Sequence, residues 1–416
     1  MDLLADEFVK VYESPEPNTM FCGSPGIVRL ENGRLIASMD AFGKRRSFQG
    51  PSETAGTDVM QGMVYTSDNR GRIWEHKLDY PMVHARPFLA GKSVYILGHS
   101  NDLTIIRSDD GGDTWTAPVR LTDGEQWHQA PCNVHYANGN VYLVMEKKIY
   151  HDLVGWSVSV MAPVLMRGEA GSDLTRCENW TFASELPFRD ILDERDIDYF
   201  GVPFYYTPPK SYIEVTHKRP CHPIGWLETN VVQFTDPNHY WYDPSGHTFH
   251  LWMRAHTGRT GYACIAKVVE TSYGTMTTML EQAPSGKKML YVPCPGGQMK
   301  FHILYDEVTG LYWLLSTQAT DSKTRADKLP EERYNLPDNE RNRLQLHFSK
   351  NCIDWCFAGM VTIGKGIKHS RHYASMVIDG NDLHVLSRSG DENASNPHNV
   401  NLITFHTVKD FRKLVY

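Results

Sequence analysis

Polar and titratable side chains recur in this sequence at the ends of short apolar runs. One set stands at the start of the first run of a repeated unit, and a second set ends the next run. Carboxyl, imidazole and phenol groups transfer protons, and guanidinium groups bind anions. If the fold brings both sets to one opening, they favour a binding or catalytic pocket over ordinary solvated loops. The first set is Arg86, His128, Glu228, Lys300, Arg371 and Tyr373, and the second is Asp40, His99, Glu146, Arg254, His256 and Arg388.

The elements that must position these side chains form a repeat. An apolar run, a turn containing Gly or Asn and a second apolar run recur six times, which is typical of consecutive β-hairpins. No segment of useful length has the period of a helix. We therefore predict an all-β, six-bladed β-propeller that forms a single domain over residues 1–416. The predicted inner strands are residues 26–30, 87–89, 132–135, 230–234, 301–305 and 374–378.

The propeller prediction also places the polar side chains. Inner strands begin at one end of the central channel, and because the second strand is antiparallel, its last residues return to that end. Both polar sets are therefore expected at one mouth of the channel. Residues 157–160 are predicted as the third strand of the third blade, and residues 8–12 as an outer strand that completes the last blade.

One turn motif supports the blades. Residues 108–115 match the pattern S-x-D-x-G-x-T-W, the Asp-box, at every fixed position. Ser108, Asp110 and Thr114 can bond backbone groups across a tight turn, and the tryptophan packs against the blade. The motif indicates fold rather than function. Weaker copies give four tryptophans that we expect at equivalent turns: Trp74, Trp115, Trp180 and Trp355.

Composition argues against several classes of partner and cofactor. A formal net charge of −7 without a long basic run argues against nucleic acid, and no segment is long and apolar enough to span a membrane. The eight cysteines form no C-x-x-C pair and the histidines have no helical metal-binding spacing, so neither a metal ion nor another cofactor is expected. The first residues lack the pattern of a secretory signal peptide, and the sequence assigns no compartment.

The segment 190–220 fits no strand of the repeat. Long loops within compact domains often serve as lids or binding loops. We therefore predict an insertion loop near the mouth of the channel.

The positions of several polar residues resemble the pattern of the sialidase superfamily, and the resemblance covers the whole chain. That pattern places an acid Asp before the third strand of the first blade, which is similar to Asp58 in the stretch GTDVM. In the fourth blade a Glu precedes the inner strand and an Arg ends the second strand, similar to Glu228 and Arg254. The fifth blade has an Arg before its third strand, similar to Arg341, and in the sixth a Tyr opens the inner strand, similar to Tyr373.

The Arg-Ile-Pro signature of that family is absent. The equivalent stretch is FCGSPG, in which Pro25 is retained and Gly23 stands in place of the Arg. In the family, three guanidinium groups around one carboxylate recognise sialic acid, and loss of one costs about 2 to 5 kcal/mol of binding. The resemblance therefore implies a divergent member for which simple sialosides are poor substrates.

The resemblance implies a glycosidase mechanism on an acidic glycan, attacked from its non-reducing end. Tyr373 would be the nucleophile, Glu228 would accept its proton and Asp58 would protonate the leaving oxygen. A tyrosine suits an anionic substrate, since a carboxylate nucleophile would be repelled. The residues expected to bind substrate are Arg254, Arg341, Arg388, His128, Arg86, Lys300 and Glu146.

Two other functions fit the same residues. Sialidase-like propellers also resemble polysaccharide lyases and rhamnosidases that act on rhamnose linked to uronic acid. There His128, Tyr373, Arg254 and Arg388 would neutralise a carboxylate and shuttle a proton. The third alternative is a non-catalytic propeller that binds glycans, against which the pairing of a tyrosine with a glutamate argues.

Overall fold

The computed structural model describes residues 2–44, 58–153, 156–191, 213–216, 219–221, 223–256, 261–320, 328, 330 and 340–416. The chain is nearly all β, with 51% of residues in strands and 4% in helices, and its six blades form a ring. The predicted all-β, six-bladed β-propeller is confirmed. No helix in these ranges has the length and apolar character needed to cross a membrane.

The first three blades follow one another along the chain, after a strand β1 (Val9–Glu13) that belongs to the last blade. In blade 3 the inner position is shared by two short strands. The strands are, in blade 1, β2 (Met20–Arg29), β3 (Leu35–Lys44), β4 (Asp58–Ser67) and β5 (Glu75–Tyr80); in blade 2, β6 (Val83–Ala90), β7 (Ser93–Ser100), β8 (Asp102–Ser108) and β9 (Val119–Arg120); and in blade 3, β10 (Trp127–His128), β11 (His135–Ala137), β12 (Asn140–Lys148), β13 (Met161–Glu169) and β14 (Trp180–Phe182).

The other three blades continue the order, with short hairpins before and after blade 4 and a helix α1 (Phe188–Ile191) before it. The strands are, ahead of blade 4, β15 (Ile213–Thr216) and β16 (Arg219–Cys221); in blade 4, β17 (Gly225–Val232), β18 (Thr248–His256), β19 (Tyr262–Glu270) and β20 (Met276–Met279); after it, β21 (Glu281–Gln282), β22 (Lys288–Met289) and β23 (Tyr291–Pro293), which pairs with β19; in blade 5, β24 (His302–Asp306), β25 (Leu311–Thr317), β26 (Arg343–Ser349) and β27 (Cys356–Ile363); and in blade 6, β28 (Arg371–Asp379), β29 (Asp382–Ser389) and β30 (Leu402–Val408).

The ring closes through β1, which pairs antiparallel with β30 as the fourth strand of blade 6. The expectation that residues 8–12 complete the last blade is confirmed in its essentials, since β1 covers Val9–Glu13. The pairing covers the outer edge of β30, and β1 becomes the edge strand of the sheet.

Two predicted strands of blade 3 were wrong. Of residues 132–135, expected as its inner strand, only His135 lies in a strand, because β10 ends at His128 and β11 begins at His135. Residues 157–160 do not form the third strand of blade 3, because Ser157–Ser159 form a 3-10 turn and the strand begins at Met161. The alternation of Ser and Val in this stretch looks like a half-buried strand, and only the register of β13 with β12 shows where pairing begins.

Trp74, Trp115 and Trp355 lie between the third and fourth strands of their blades, and Trp180 is the first residue of the fourth strand of blade 3. In the turn after β8, Ser108 Oγ accepts the backbone N–H of Gly112 at 2.8 Å and Trp115 Nε1 donates to the Gly112 carbonyl at 3.1 Å. Trp74 and Trp180 make the same kind of bond to backbone carbonyls at 3.0 and 2.9 Å. Trp355 directly precedes β27.

Adjacent blades are joined by hydrogen bonds between a side chain of one blade and the backbone of the next. The Asn133 amide both donates to and accepts from the backbone of Val231 at 2.7 Å, linking blades 3 and 4. Asn230 bonds the backbone of blade 5 in the same way. Such bonds hold residues far apart in sequence in a constant relation around the channel. The other four interfaces use Ser38, Arg86, His302 and Ser375.

The hydrophobic core fills the spaces between blades, so the middle strands are buried on both faces. Every residue of β25 is buried, as are all eight residues of β17. Burial on both faces explains the continuous apolar run at the start of β25. The inner strand β17 also buries the polar residues Glu228, Thr229 and Asn230. In the part of the chain that the structure describes, seven cysteines are unpaired, and five of them are buried.

Candidate active site

A β-bulge interrupts the inner strand at the same place in four blades. The register of β2, β6, β17 and β28 shifts there relative to the second strand, and the bulge in each carries one residue in the left-handed region. Such conformations cost about 1 to 3 kcal/mol each and persist where the surrounding structure holds them. The four residues are Ser24 (φ 46°), His84 (φ 54°), Glu228 (φ 60°) and Tyr373 (φ 49°).

The bulges bring second-strand side chains to the same end of the channel. The residue before each bulge pairs with a polar residue in the C-terminal half of the second strand. Four blades therefore present a pair of polar side chains at equivalent positions. These pairs are Ser24 with Asp40, His84 with His99, Glu228 with Arg254, and Tyr373 with Arg388.

Two of these pairs meet across the channel. The Tyr373 hydroxyl donates to Glu228 Oε1 at 2.6 Å, and Arg254 Nη1 donates to the same hydroxyl at 2.8 Å. Arg254 Nη1 also lies 3.5 Å from Glu228 Oε2, and its Nε donates to the carbonyl of Gln298 at 2.7 Å. The expected contact between the tyrosine and the glutamate is therefore present, and Tyr373 is part-exposed while Glu228 is buried.

The electrostatics of Tyr373 define what it can do. Burial raises the pKa of its phenol to about 12, Arg254 and Arg341 oppose this, and the adjacent Glu228 adds to it. The phenol is therefore neutral near pH 7, and a bonded base must take its proton as the oxygen attacks. Glu228 lies at the distance required of that base.

Two more guanidinium groups lie over the Tyr373 ring. Arg341 and Arg388 are each centred 5.5 Å from it, and both are buried. Together with Arg254 they surround the tyrosine with positive charge, which favours an anionic ligand. Arg341 Nη1 also lies 3.1 Å from His372 Nδ1.

Arg388 lies beside Gly23, where the resemblance noted in the sequence predicted the loss of an arginine. A Cβ built at Gly23 would lie 3.9 Å from Arg388 Nη1 and 3.2 Å from the Phe42 ring. The guanidinium of Arg388 is 5.2 Å from that ring, and its Nη2 donates to the carbonyl of His398. A guanidinium from blade 6 therefore stands next to the glycine of blade 1.

His128 lies with two other histidines on the side of blades 2 and 3. Its ring is 4.8 Å from that of His84, 5.9 Å from that of His99 and 5.6 Å from Trp156. Its electrostatic surroundings include Glu228 and Arg254, and burial lowers its pKa below the usual value. His128 therefore borders the same opening as the tyrosine.

Three residues expected to bind substrate are placed differently, because their polar atoms are buried against the protein. Lys300 Nζ donates to the carbonyl of Ala374 and, at 2.8 Å, to Ser375 Oγ, and burial lowers its pKa to about 8. Arg86 donates to the carbonyls of Asn133 and Val144 at 3.2 and 3.1 Å. The structure thus makes both residues supports of the inner strands.

Glu146 is the third of these residues. It is fully buried, and its Oε1 accepts from the backbone N–H and hydroxyl of Thr229 at 3.0 and 2.7 Å. Burial raises its pKa to about 7, and the bonds from Thr229 oppose the shift. Since Thr229 follows Glu228, this carboxyl supports the bulge that holds the glutamate.

Two expectations fall on parts of the chain that the structure does not describe. Asp58 opens β4, opposite Lys44, but its side chain lies outside the described residues. Of the segment 190–220, the end of α1, the strand β15 and the start of β16 are described, and its remaining residues are not.

The sequence did not predict His84 as a site residue, because the inner strand of blade 2 was expected over residues 87–89, after this histidine. Its left-handed backbone is unusual for a histidine, and nothing in the local sequence signals the bulge.

Asp40 was expected at the mouth, and its Oδ2 accepts the backbone N–H of His84 at 2.9 Å. Burial raises its pKa to about 7, which adds a carboxyl group that titrates near neutrality.

Comparisons with known proteins agree with this architecture. No protein-family model matches the chain, and neither does any curated protein. Among solved structures, the Hadza microbial sialidase Hz136 is 13% identical with a TM-score of 0.54, and the match covers 97% of this chain and 68% of that one. Trypanosoma rangeli sialidase is 13% identical with a TM-score of 0.53, covering 98% of this chain and 60% of that one.

The intramolecular trans-sialidase from Ruminococcus gnavus is 10% identical with a TM-score of 0.52, and the match covers 99% of this chain and 98% of that one. Identities of this size show the fold and not the activity. The chain therefore has the six-bladed propeller fold of sialidases.

Proposed function

We propose that this chain is a glycoside hydrolase of sialidase-like type that removes an acidic sugar from the non-reducing end of a glycan. The observation that carries the proposal is the Tyr373 hydroxyl bonded to Glu228 at 2.6 Å and to Arg254 at 2.8 Å. A phenol paired with a buried carboxylate is an activated nucleophile, and a purely structural tyrosine does not need a charged acceptor and a charged donor on one oxygen.

The reaction follows from this arrangement. The Tyr373 oxygen attacks the anomeric carbon while its proton passes to Glu228, and Arg254 stabilises the charge that develops on the phenol oxygen. The bond from the anomeric carbon to the leaving oxygen breaks, and Asp58 supplies the proton to that oxygen. In the second step Asp58 takes a proton from water as the water oxygen attacks the anomeric carbon. The bond between that carbon and the Tyr373 oxygen breaks, and Glu228 returns its proton to the phenol.

The guanidinium groups define the substrate class. Arg254, Arg341 and Arg388 surround the tyrosine, so a carboxylate next to the anomeric carbon would be held by charge-assisted hydrogen bonds. Arg388, from blade 6, supplies the third donor, which Gly23 in blade 1 cannot supply. We therefore propose a uronic-acid-like or sialic-acid-like sugar, with simple sialosides as poor substrates.

We also propose that residues 1–416 form one propeller domain, with the segment 190–220 next to the mouth of the channel. The pairing of β1 with β30, which closes the ring, supports the single domain.

Product analysis tests the function. A panel of acidic polysaccharides and oligosaccharides is incubated in water labelled with heavy oxygen, and products are followed by mass spectrometry and ultraviolet absorbance. Release of a free acidic sugar that carries one labelled oxygen supports the proposal. An unsaturated uronate without label identifies the lyase alternative, and binding without turnover identifies a glycan-binding propeller. Efficient release of sialic acid from simple sialosides would contradict the weight given to Gly23.

Arg388→Met tests whether the Arg388 guanidinium binds the carboxylate of the substrate. Because one charge-assisted contact is worth about 2 to 5 kcal/mol, KM for an acidic substrate is expected to rise by about 30-fold or more. For a neutral analogue, in which the carboxylate is reduced to an alcohol, KM of the variant is expected to change by less than about 3-fold, since a neutral group gains little from the charge. Both constants are measured by initial rates. Arg72→Met is the control, because Arg72 is exposed, and equal losses for both substrates would refute the role.

A further inference from the structure

Three histidine rings converge at the opening, on the side opposite the tyrosine. His84, His99 and His128 each offer one ring nitrogen, and these atoms all lie within 4.8 Å of one another. His84 Nδ1 and His99 Nε2 are 2.9 Å apart. The three come from two neighbouring blades, on strands β6, β7 and β10.

All three histidines lie in strands that pair with a neighbouring strand. His84 stands in the bulge of β6 with φ 54°, and the residue before it pairs with His99 across the hairpin. His128 pairs with Glu146 at the start of blade 3. All three histidines stand on strands rather than on loops, so the backbone that carries the imidazoles is held in place while the rings can still rotate.

The separations suit a metal ion. Zinc binds histidine nitrogen at about 2.0 to 2.1 Å in a tetrahedral arrangement, which places ligand nitrogens about 3.3 Å apart. One pair of nitrogens is already at 2.9 Å, and the remaining separations need to shorten by about 1.5 Å at most, which rotation of the rings about their side-chain bonds supplies.

We propose that His84, His99 and His128 form a binding site for one divalent transition-metal ion, with zinc the best fit. Imidazole ligands suit zinc, copper and nickel and do not suit calcium or magnesium, which prefer oxygen. Three histidines leave a fourth position of a tetrahedral ion open. His84 and His128 are part-exposed, so that position accepts water or a hydroxyl of a bound sugar.

This proposal goes beyond the glycosidase mechanism and does not depend on it. The Tyr373 and Glu228 pair lies on blades 6 and 4, whereas the histidines lie on blades 2 and 3. The charges of Glu228 and Arg254 act on His128, so the two sites share one opening. The ion would therefore be a second group that orients a ligand there.

The test is a titration of the full chain with zinc alone, after treatment with a chelator and dialysis. Calorimetry is expected to give one ion per chain with a Kd of about 1 μM or tighter. His99→Ala and His128→Ala are each expected to weaken binding by at least about 100-fold, since even loss of a supporting contact costs 10 to 100-fold. His151→Ala is the control, because His151 is exposed and outside the cluster.

Cobalt spectroscopy of the wild-type chain identifies the ligand atoms directly. It needs no folded variant, and it distinguishes imidazole ligands from the free thiols. The cobalt-loaded wild-type chain is expected to show visible d–d bands of a nitrogen-bound ion without a thiolate charge-transfer band. Circular dichroism verifies that each variant is folded. Absence of stoichiometric binding, a thiolate band, or equal affinity in the folded His99 and His128 variants would overturn the proposal.

Discussion

Tyr373→Phe is expected to abolish turnover of the acidic glycan while the chain still binds it. The change removes one oxygen and leaves the ring beneath Arg341 and Arg388, so the substrate pocket keeps its shape. Without the phenol oxygen there is no nucleophile, and kcat is expected to fall by at least about 10³-fold. The dissociation constant, measured by calorimetry, is expected to stay within about 3-fold, since the deleted atom acts on the reacting carbon.

The same experiment distinguishes the mechanisms in which a tyrosine takes part. Rapid quenching of the wild-type reaction followed by mass spectrometry is expected to find the sugar attached to the peptide that contains Tyr373. Tyr305→Phe serves as the control, because that tyrosine is 40% exposed on blade 5. Loss of activity without any adduct in the wild type would favour a tyrosine that shuttles a proton, as in the lyase alternative. Full activity in Tyr373→Phe would refute both mechanisms.

Glu228→Gln is expected to lower kcat by about 10² to 10⁴-fold, the range of general base catalysis. The amide matches the carboxylate in size and its carbonyl accepts the hydrogen bond from Tyr373, but it cannot take the proton. Burial keeps the pKa of the phenol at about 12, so the neutral tyrosine is left as a weak nucleophile. Glu169→Gln is the control, because Glu169 is exposed at the end of β13.

The double variant makes this prediction sharper. If Tyr373 and Glu228 act as a unit, Tyr373→Phe combined with Glu228→Gln loses no more activity than Tyr373→Phe alone. Losses that multiply would show that the glutamate acts elsewhere, for instance by holding Arg254, which lies 3.5 Å from its Oε2. Thermal unfolding of the three variants, compared with the wild type, verifies that rates are compared between folded chains.

The bulges explain why the site tolerates a strained backbone. Glu228 and Tyr373 both have left-handed φ angles, and each is supported from behind by a buried group. Thr229, next to the glutamate, is bonded to Glu146, and the backbone of Ala374, next to the tyrosine, is bonded to Lys300. These buried residues were expected to bind substrate, and their placement gives them a positioning role instead.

The sequence by itself determined the fold and the end of the channel at which Glu228 and Tyr373 lie. A hairpin turn between apolar runs is local chemistry, and its sixfold recurrence required a ring of similar sheets. Strand register then placed Glu228, Arg254 and Tyr373 at one mouth, because antiparallel strands return to the end from which they began. Only short-range information was needed for each of these steps.

The tertiary structure alone decided which polar side chains meet. Tyr373 and Glu228 are 145 residues apart, and their contact depends on the angle between blades 4 and 6. The convergence of His84 with His99 and His128 depends on a bulge and on the packing of two blades. The position of Arg388 beside Gly23 likewise joins blades 6 and 1. Periodicity gives the end of a strand at which a side chain lies, whereas contacts between blades are set by the packing of the whole ring.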